Sequence, residues 1–145
     1  MSKKSIEEKY LAEFVYGATD GTITTFAIVA GVIGASLSSA VVLILGFANL
    51  LADGFSMAIS DYLSTKSKNE VYKLHKHRHY HLKDPKKTAL ATFAAFILIG
   101  LIPLLSFIFS PLSDFINMNK FLLSTILTGI AFLIIGGFKG KVIGK

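Results

Sequence analysis

Apolar residues fall in four long blocks, broken twice by short polar turns and once by a long basic stretch. Each block has about the 20 residues that a helix needs to cross the hydrocarbon of a bilayer. The pattern predicts an all-α, polytopic membrane protein, a single membrane domain over residues 1–145 with spans at about 14–37, 40–63, 88–109 and 121–138. A short amphipathic approach from Ser5 leads into the first. Gly34, Ser36, Ser38 and Ser39 supply a tight turn between the first two spans, and Pro111, Ser113, Asp114, Asn117 and Asn119 a loop before the fourth. The charged residues Lys3, Lys4, Glu7, Glu8, Lys9 and Glu13 leave no apolar core for a cleaved signal peptide ahead of the first span.

Composition sharpens this reading. A hydrophobic content of 52% and a mean hydropathy of +0.61 exclude an ordinary soluble domain. The absence of Cys excludes disulfides and thiolate metal sites. Fourteen of the fifteen Lys and Arg lie before the first span, in the basic, histidine-rich stretch 64–87, or after the fourth; only Lys120 lies on the other side. Cytoplasmic flanks retain positive charge, so both termini are expected in the cytoplasm. The net charge of +6 is then mostly topology and calls for no nucleic-acid partner. No nucleophile elbow, phosphate loop or helical zinc-protease motif is present, and an enzyme is not expected.

Chemistry enters with the charges that remain inside the spans, which are all aspartates. In the second span Asn49, Asp53, Met57 and Asp61 recur every four residues. On a helix that spacing gives a stripe drifting by about 40° per step. An aspartate at the centre of a span costs roughly 2.5 to 3.5 kcal/mol on insertion scales, so it persists there where a partner, a water-filled cavity or a cation compensates it. Counting inward from the cytoplasmic ends at 1.5 Å per residue puts Asp20 and Met57 at about 9 Å depth and Asp53 at about 15 Å. Two antiparallel helices thus gather Asp20, Asp53 and Met57, with Asp61 at the mouth. Gly17, Gly21, Thr24, Ala27, Gly31 and Gly34 keep one side of the first span small, either for helix packing or as room for a pathway. Thr22, Thr24 and Thr25 bring hydroxyls near Asp20, or bond back to their own carbonyls. Carboxylate and amide oxygens suit hard cations and a thioether softer ones, so the mixed set fits a borderline divalent ion such as Fe²⁺ or Mn²⁺; Met57 otherwise reads as a packing residue. Carboxylates in a low-dielectric layer bind protons more readily, so Asp20 and Asp53 could take up protons when a metal leaves.

The run from Asp20 through Gly31 (DGTITTFAIVAG), then Asn49-Leu50-Leu51-Ala52-Asp53-Gly54-Phe55-Ser56-Met57 and Tyr62-Leu63-Ser64-Thr65-Lys66, resembles the vacuolar iron transporter family. The likeness continues at Asp84–Leu90, Gly100–Leu105 and Gly136–Lys141. The resemblance implies a dimer whose first two helices line a central path for Fe²⁺ or Mn²⁺ leaving the cytoplasm against protons, with Asp20 and Met57 as pathway ligands. It implies no cofactor beyond the transported ion, a bilayer environment, and a plasma membrane in a prokaryote or a vacuolar or other internal membrane in a eukaryote.

Departures are specific. The family's Glu-rich cytoplasmic metal-capture domain is replaced by about two dozen residues with Glu70 as their only glutamate, its Gly-Glu before Tyr-Leu-Ser is Ser60-Asp61, and its fifth span is not among these residues. In place of the capture domain stand His75, His77, His79 and His81, which share a face in a strand or pair at i, i+4 in a helix. They read either as a weak metal site or as part of a polybasic segment against anionic lipid, since Lys76, Arg78 and Lys83 interleave with them. The competing function is a non-transporting member that binds metal in the membrane or assembles with a longer relative.

Overall fold

The computed structural model describes residues 3–74 and 82–144. It consists of α1 (Lys3–Gly34), α2 (Ser39–Leu74), α3 (Pro85–Gly100), the short α4 (Leu105–Ile108) and α5 (Asp114–Ile143), with no strand among the described residues. Four helical stretches, Glu8–Gly34, Ser39–Leu74, Pro85–Leu112 and Asp114–Ile143, are long and apolar enough to cross a membrane. The chain is a multi-pass membrane protein. Because the spans alternate in direction, the start of α1, the end of α2, the start of α3 and the end of α5 lie at one end of the bundle, here called the basic end.

α1 and α3 form the spine. α2 lies across both, while α5 packs on α1 and on the segment 102–112. The spine is close because of glycine: a methyl group at Gly17 would meet the Thr92 carbonyl oxygen, and one at Gly21 would lie 3.1 Å from the Phe96 Cα. Gly31 and Gly34, at the other end of the same helix, face open space. The small face of the first span therefore divides into a packed half and an open half. Val29, Val32, Val42, Leu50, Phe96, Leu104 and Phe107 form the main core, which extends toward the α1–α2 turn, and Ala18, Ala95 and Ile135 a second one nearer the basic end.

Three boundaries differ from the sequence expectation. α2 runs on to Leu74, so its last turns stand beyond the apolar block that ended at Leu63. Those turns are held at the basic end: Asn69 Nδ2 donates to the Lys83 carbonyl at 2.7 Å, Lys83 Nζ bonds Glu13 Oε1 at 2.8 Å, and Lys9 Nζ reaches the Leu82 carbonyl at 3.0 Å. α5 begins at Asp114, so Asn117 and Asn119 belong to its first turns and not to a loop. The third span is broken after Gly100, because Pro103 has no N–H to continue the ladder and the chain tightens into a 3₁₀ turn over Ile102–Leu104. Ser124 of α5 donates to the Pro103 carbonyl at 2.7 Å, which gives that acceptor a partner at the break.

The α1–α2 turn closes with the Leu37 N–H on the Val32 carbonyl and the Ser36 N–H on the Ile33 carbonyl. Ser36 takes the left-handed position of this Schellman motif at φ 57°, where glycine is the usual residue. Ser36→Gly is expected to stabilise the protein by about 1 kcal/mol by removing that strain, read as a higher melting temperature in detergent.

Candidate metal site

One hydrogen bond sets the register of α1 against α2. Asn49 Nδ2 donates to Thr24 Oγ1 at 3.1 Å, while the Thr24 hydroxyl bonds back to the Asp20 carbonyl at 2.9 Å. One turn toward the basic end along both antiparallel helices, this register brings Asp53 level with Asp20. A further turn along, Met57 lies beside Tyr16. Asp20, Asn49, Asp53 and Met57 are all half-buried.

The drift of the stripe decides where its lower end goes. By Asp61 it has turned toward α3, and the Thr92 hydroxyl donates to Asp61 Oδ2. Met57 also packs against the main core. The four-residue ladder therefore starts on α1 and finishes on α3. Asp20 meets Asp53 as a facing pair, and among the described residues no three His, Cys, Asp or Glu side chains converge. A cation between Asp20 and Asp53 would draw further ligands from the Met57 sulfur, the Asn49 and Thr24 oxygens, water or a second copy of the chain. His75, His77, His79 and His81 lie outside the described residues.

Several groups here were not singled out from the sequence. Tyr16, Ser56, Ser60 and Ser64 join Met57 and Asp61 around a cleft of about 240 Å³ leading from the basic end. The serines recur at i, i+4 and i+8, a hydroxyl stripe beside the acid ladder that periodicity could have found. Glu13 is buried, with Oε1 on Lys83 and Oε2 without a hydrogen-bond partner. Of the hydroxyls that the sequence did single out, Thr22 bonds back to the Ala18 carbonyl at 2.7 Å, whereas the buried Thr25 hydroxyl has no partner among the described residues.

The face carrying Asp53 is unusual for a protein surface in lipid. Ser56 and Ser60 share that face with Asp53 and are exposed, whereas the exposed Leu51, Phe55 and Ile59 lie around the far side of the helix as lipid contact allows. Residues 10–65 contain no Lys or Arg, so nothing cationic in the first two spans neutralises the aspartates.

Comparison with known proteins places these residues in context. The sequence profile of the VIT family matches residues 11–84 and 74–145. A vacuolar iron transporter of Toxoplasma gondii is 44% identical over 69 residues, covering 48% of this chain and 23% of that protein. A vacuolar iron transporter of Plasmodium falciparum is 35% identical over 74 residues, covering 51% and 27%. Vacuolar iron transporter homolog 4 of Arabidopsis thaliana is 28% identical over 145 residues, covering 94% of this chain and 70% of the relative. The chain thus aligns with about a quarter of the length of the two parasite proteins. No solved structure matches.

Proposed function

This chain belongs to the VIT family, and from that premise we propose that it moves a divalent transition metal, Fe²⁺ or Mn²⁺, out of the cytoplasm in exchange for protons, as a homodimer. The observation that carries the reading is that the Asn49–Thr24 bond sets Asp53 level with Asp20, two carboxylates in apolar spans that hold no Lys or Arg between residues 10 and 65. A divalent cation is the charge that balances such a pair, and intramembrane acids of this kind mark ion pathways.

In this reading the basic end faces the cytoplasm, where positive flanks are retained. A hydrated metal reaches the cleft of Ser56, Ser60, Ser64 and Asp61, exchanges water for the Met57 thioether, and moves one turn up to Asp20 and Asp53. The thioether favours Fe²⁺ and Mn²⁺ over Mg²⁺ and Ca²⁺, which take oxygen ligands alone. The Asn49–Thr24 pair forms the next polar step. When the cation leaves, two facing carboxylates remain, and protons are the charge that replaces it. A second copy on the α1–α2 face supports the same scheme: it would turn the half-buried Asp53 and the exposed Ser56 and Ser60 from lipid toward a shared path and offset up to roughly 2.5 to 3.5 kcal/mol for each aspartate.

The test is uptake of Mn²⁺ or Fe²⁺ by proteoliposomes containing the purified chain, with an acidic lumen. Saturable uptake that slows several-fold when the pH gradient is collapsed is the expected result. Uptake indifferent to the gradient would remove proton exchange. Folded protein giving no uptake would favour the non-transporting reading, a metal-binding or assembly partner of a longer relative.

A further inference from the structure

Away from the acid pair, a groove of about 470 Å³ opens between α1, α3 and α5 at the basic end, walled by Tyr10, Phe14, Ala91, Ala94, Leu98 and Phe138. Its lining is apolar except at the mouth, where Lys87 stands exposed in the first turn of α3. From Lys87 to Leu98 the helix rises about 17 Å at 1.5 Å per residue. That is close to half of the roughly 30 Å hydrocarbon core, the depth of a single leaflet. The Phe14 and Phe138 rings, with centroids 4.6 Å apart, join the α1 and α5 walls. Tyr10 sits at the rim, with Lys9 Nζ 5.8 Å from its ring centroid, which puts a second cation beside the mouth.

The groove therefore has the length of one acyl chain, an apolar interior and a cationic opening at headgroup level. A second groove, of about 840 Å³ between α1 and α5, serves as an internal contrast. It carries both Glu8 and Lys139, so its charge is balanced and it has no means of selecting an anion. We propose that the α1–α3–α5 groove is a specific site for an anionic phospholipid of the leaflet at the basic end, with one acyl chain along Ala91, Ala94 and Leu98 and the phosphate on Lys87. The site rests on the membrane spans alone and is independent of what the acid pair carries.

Native mass spectrometry tests it directly. The full chain is reconstituted in vesicles of equal parts phosphatidylglycerol and phosphatidylcholine, released in mild detergent, and the retained lipids are counted. The wild type is expected to keep one phosphatidylglycerol per protomer in preference to phosphatidylcholine. Lys87→Gln, an exposed change that leaves packing intact, is expected to lower that preference about five-fold, the share that one surface cation carries. Ala94→Phe, which fills the groove, is expected to release lipid of both kinds, whereas Lys139→Gln at the balanced groove leaves the preference unchanged. Equal retention of the two lipids by the wild type, or an undiminished preference in Lys87→Gln, would overturn the proposal and reduce the basic end to a diffuse field.

Discussion

Asp53→Asn is expected to lower metal flux by at least about a hundredfold while leaving the bundle folded. The amide keeps the volume and the half-buried position of the side chain. It removes one of the two negative charges that the Asn49–Thr24 register sets level with each other on α1 and α2. Substitutions of groups that merely support a metal ligand cost about 10- to 100-fold, so loss of the charged ligand itself falls at or beyond the top of that range. Stability moves the other way. The substitution also removes the repulsion from Asp20, so the melting temperature in detergent is expected to hold or rise. Initial rates of Mn²⁺ uptake and a melting curve on the same preparation check both halves. Retained flux would displace Asp53 from the pathway, and a large drop in melting temperature would make its role structural. Asp61→Asn keeps a polar partner for the Thr92 hydroxyl and is expected to slow flux less.

The largest effect on stability is expected at Gly21. In Gly21→Val the new Cβ has the Phe96 Cα at 3.1 Å and the Phe96 ring at the same distance. Overpacking typically costs about 1–3 kcal/mol when side chains can move aside. Here the obstacle is largely main chain, so at least about 3 kcal/mol is expected, enough to leave little folded protein. Gly31→Ala on the same helix, where nothing lies within 4 Å, is expected to be neutral or stabilising by up to about 1 kcal/mol through helix propensity. Size-exclusion profiles and melting curves in detergent separate the two. A Gly21→Val protein that melts like the wild type would mean that the α1–α3 approach is looser than described.

The four spans were legible because the apolar blocks carry no Lys or Arg, and a bilayer tolerates little else at that length. The continuation of α2 past Leu63 was not legible, because Lys66, Ser67, Lys68 and Asn69 end the apolar block without ending the helix. What holds those turns is a contact with Lys83, distant in sequence. Pro103 was visible as a residue, but hydropathy runs unbroken across it, and only Ser124 facing its carbonyl shows how the break is accommodated. The period of four in Asn49, Asp53, Met57 and Asp61 was plain. Depth counting put Met57 level with Asp20, whereas the Asn49–Thr24 bond brings Asp53 opposite Asp20 and carries Met57 one turn further along. Span ends are too soft to fix an offset of one turn. That Asp61 would turn to Thr92 depended on where α3 lies, which no pattern within α2 encodes.

The central position of α3 orders assembly in time. During synthesis α1 and α2 leave the ribosome before α3, and until the third span joins them Gly17, Gly21, Gly46 and Gly54 present shallow notches with nothing seated in them. The early hairpin has its turn at Ser36 and the Asn49–Thr24 bond, but neither Thr92 for Asp61 nor Phe96 for the main core. Arrival of α3 seats both at once. A chain cut before residue 85 would therefore leave an open hairpin with Asp61 unmatched and the main core without Phe96, and the third span is the latch that closes it.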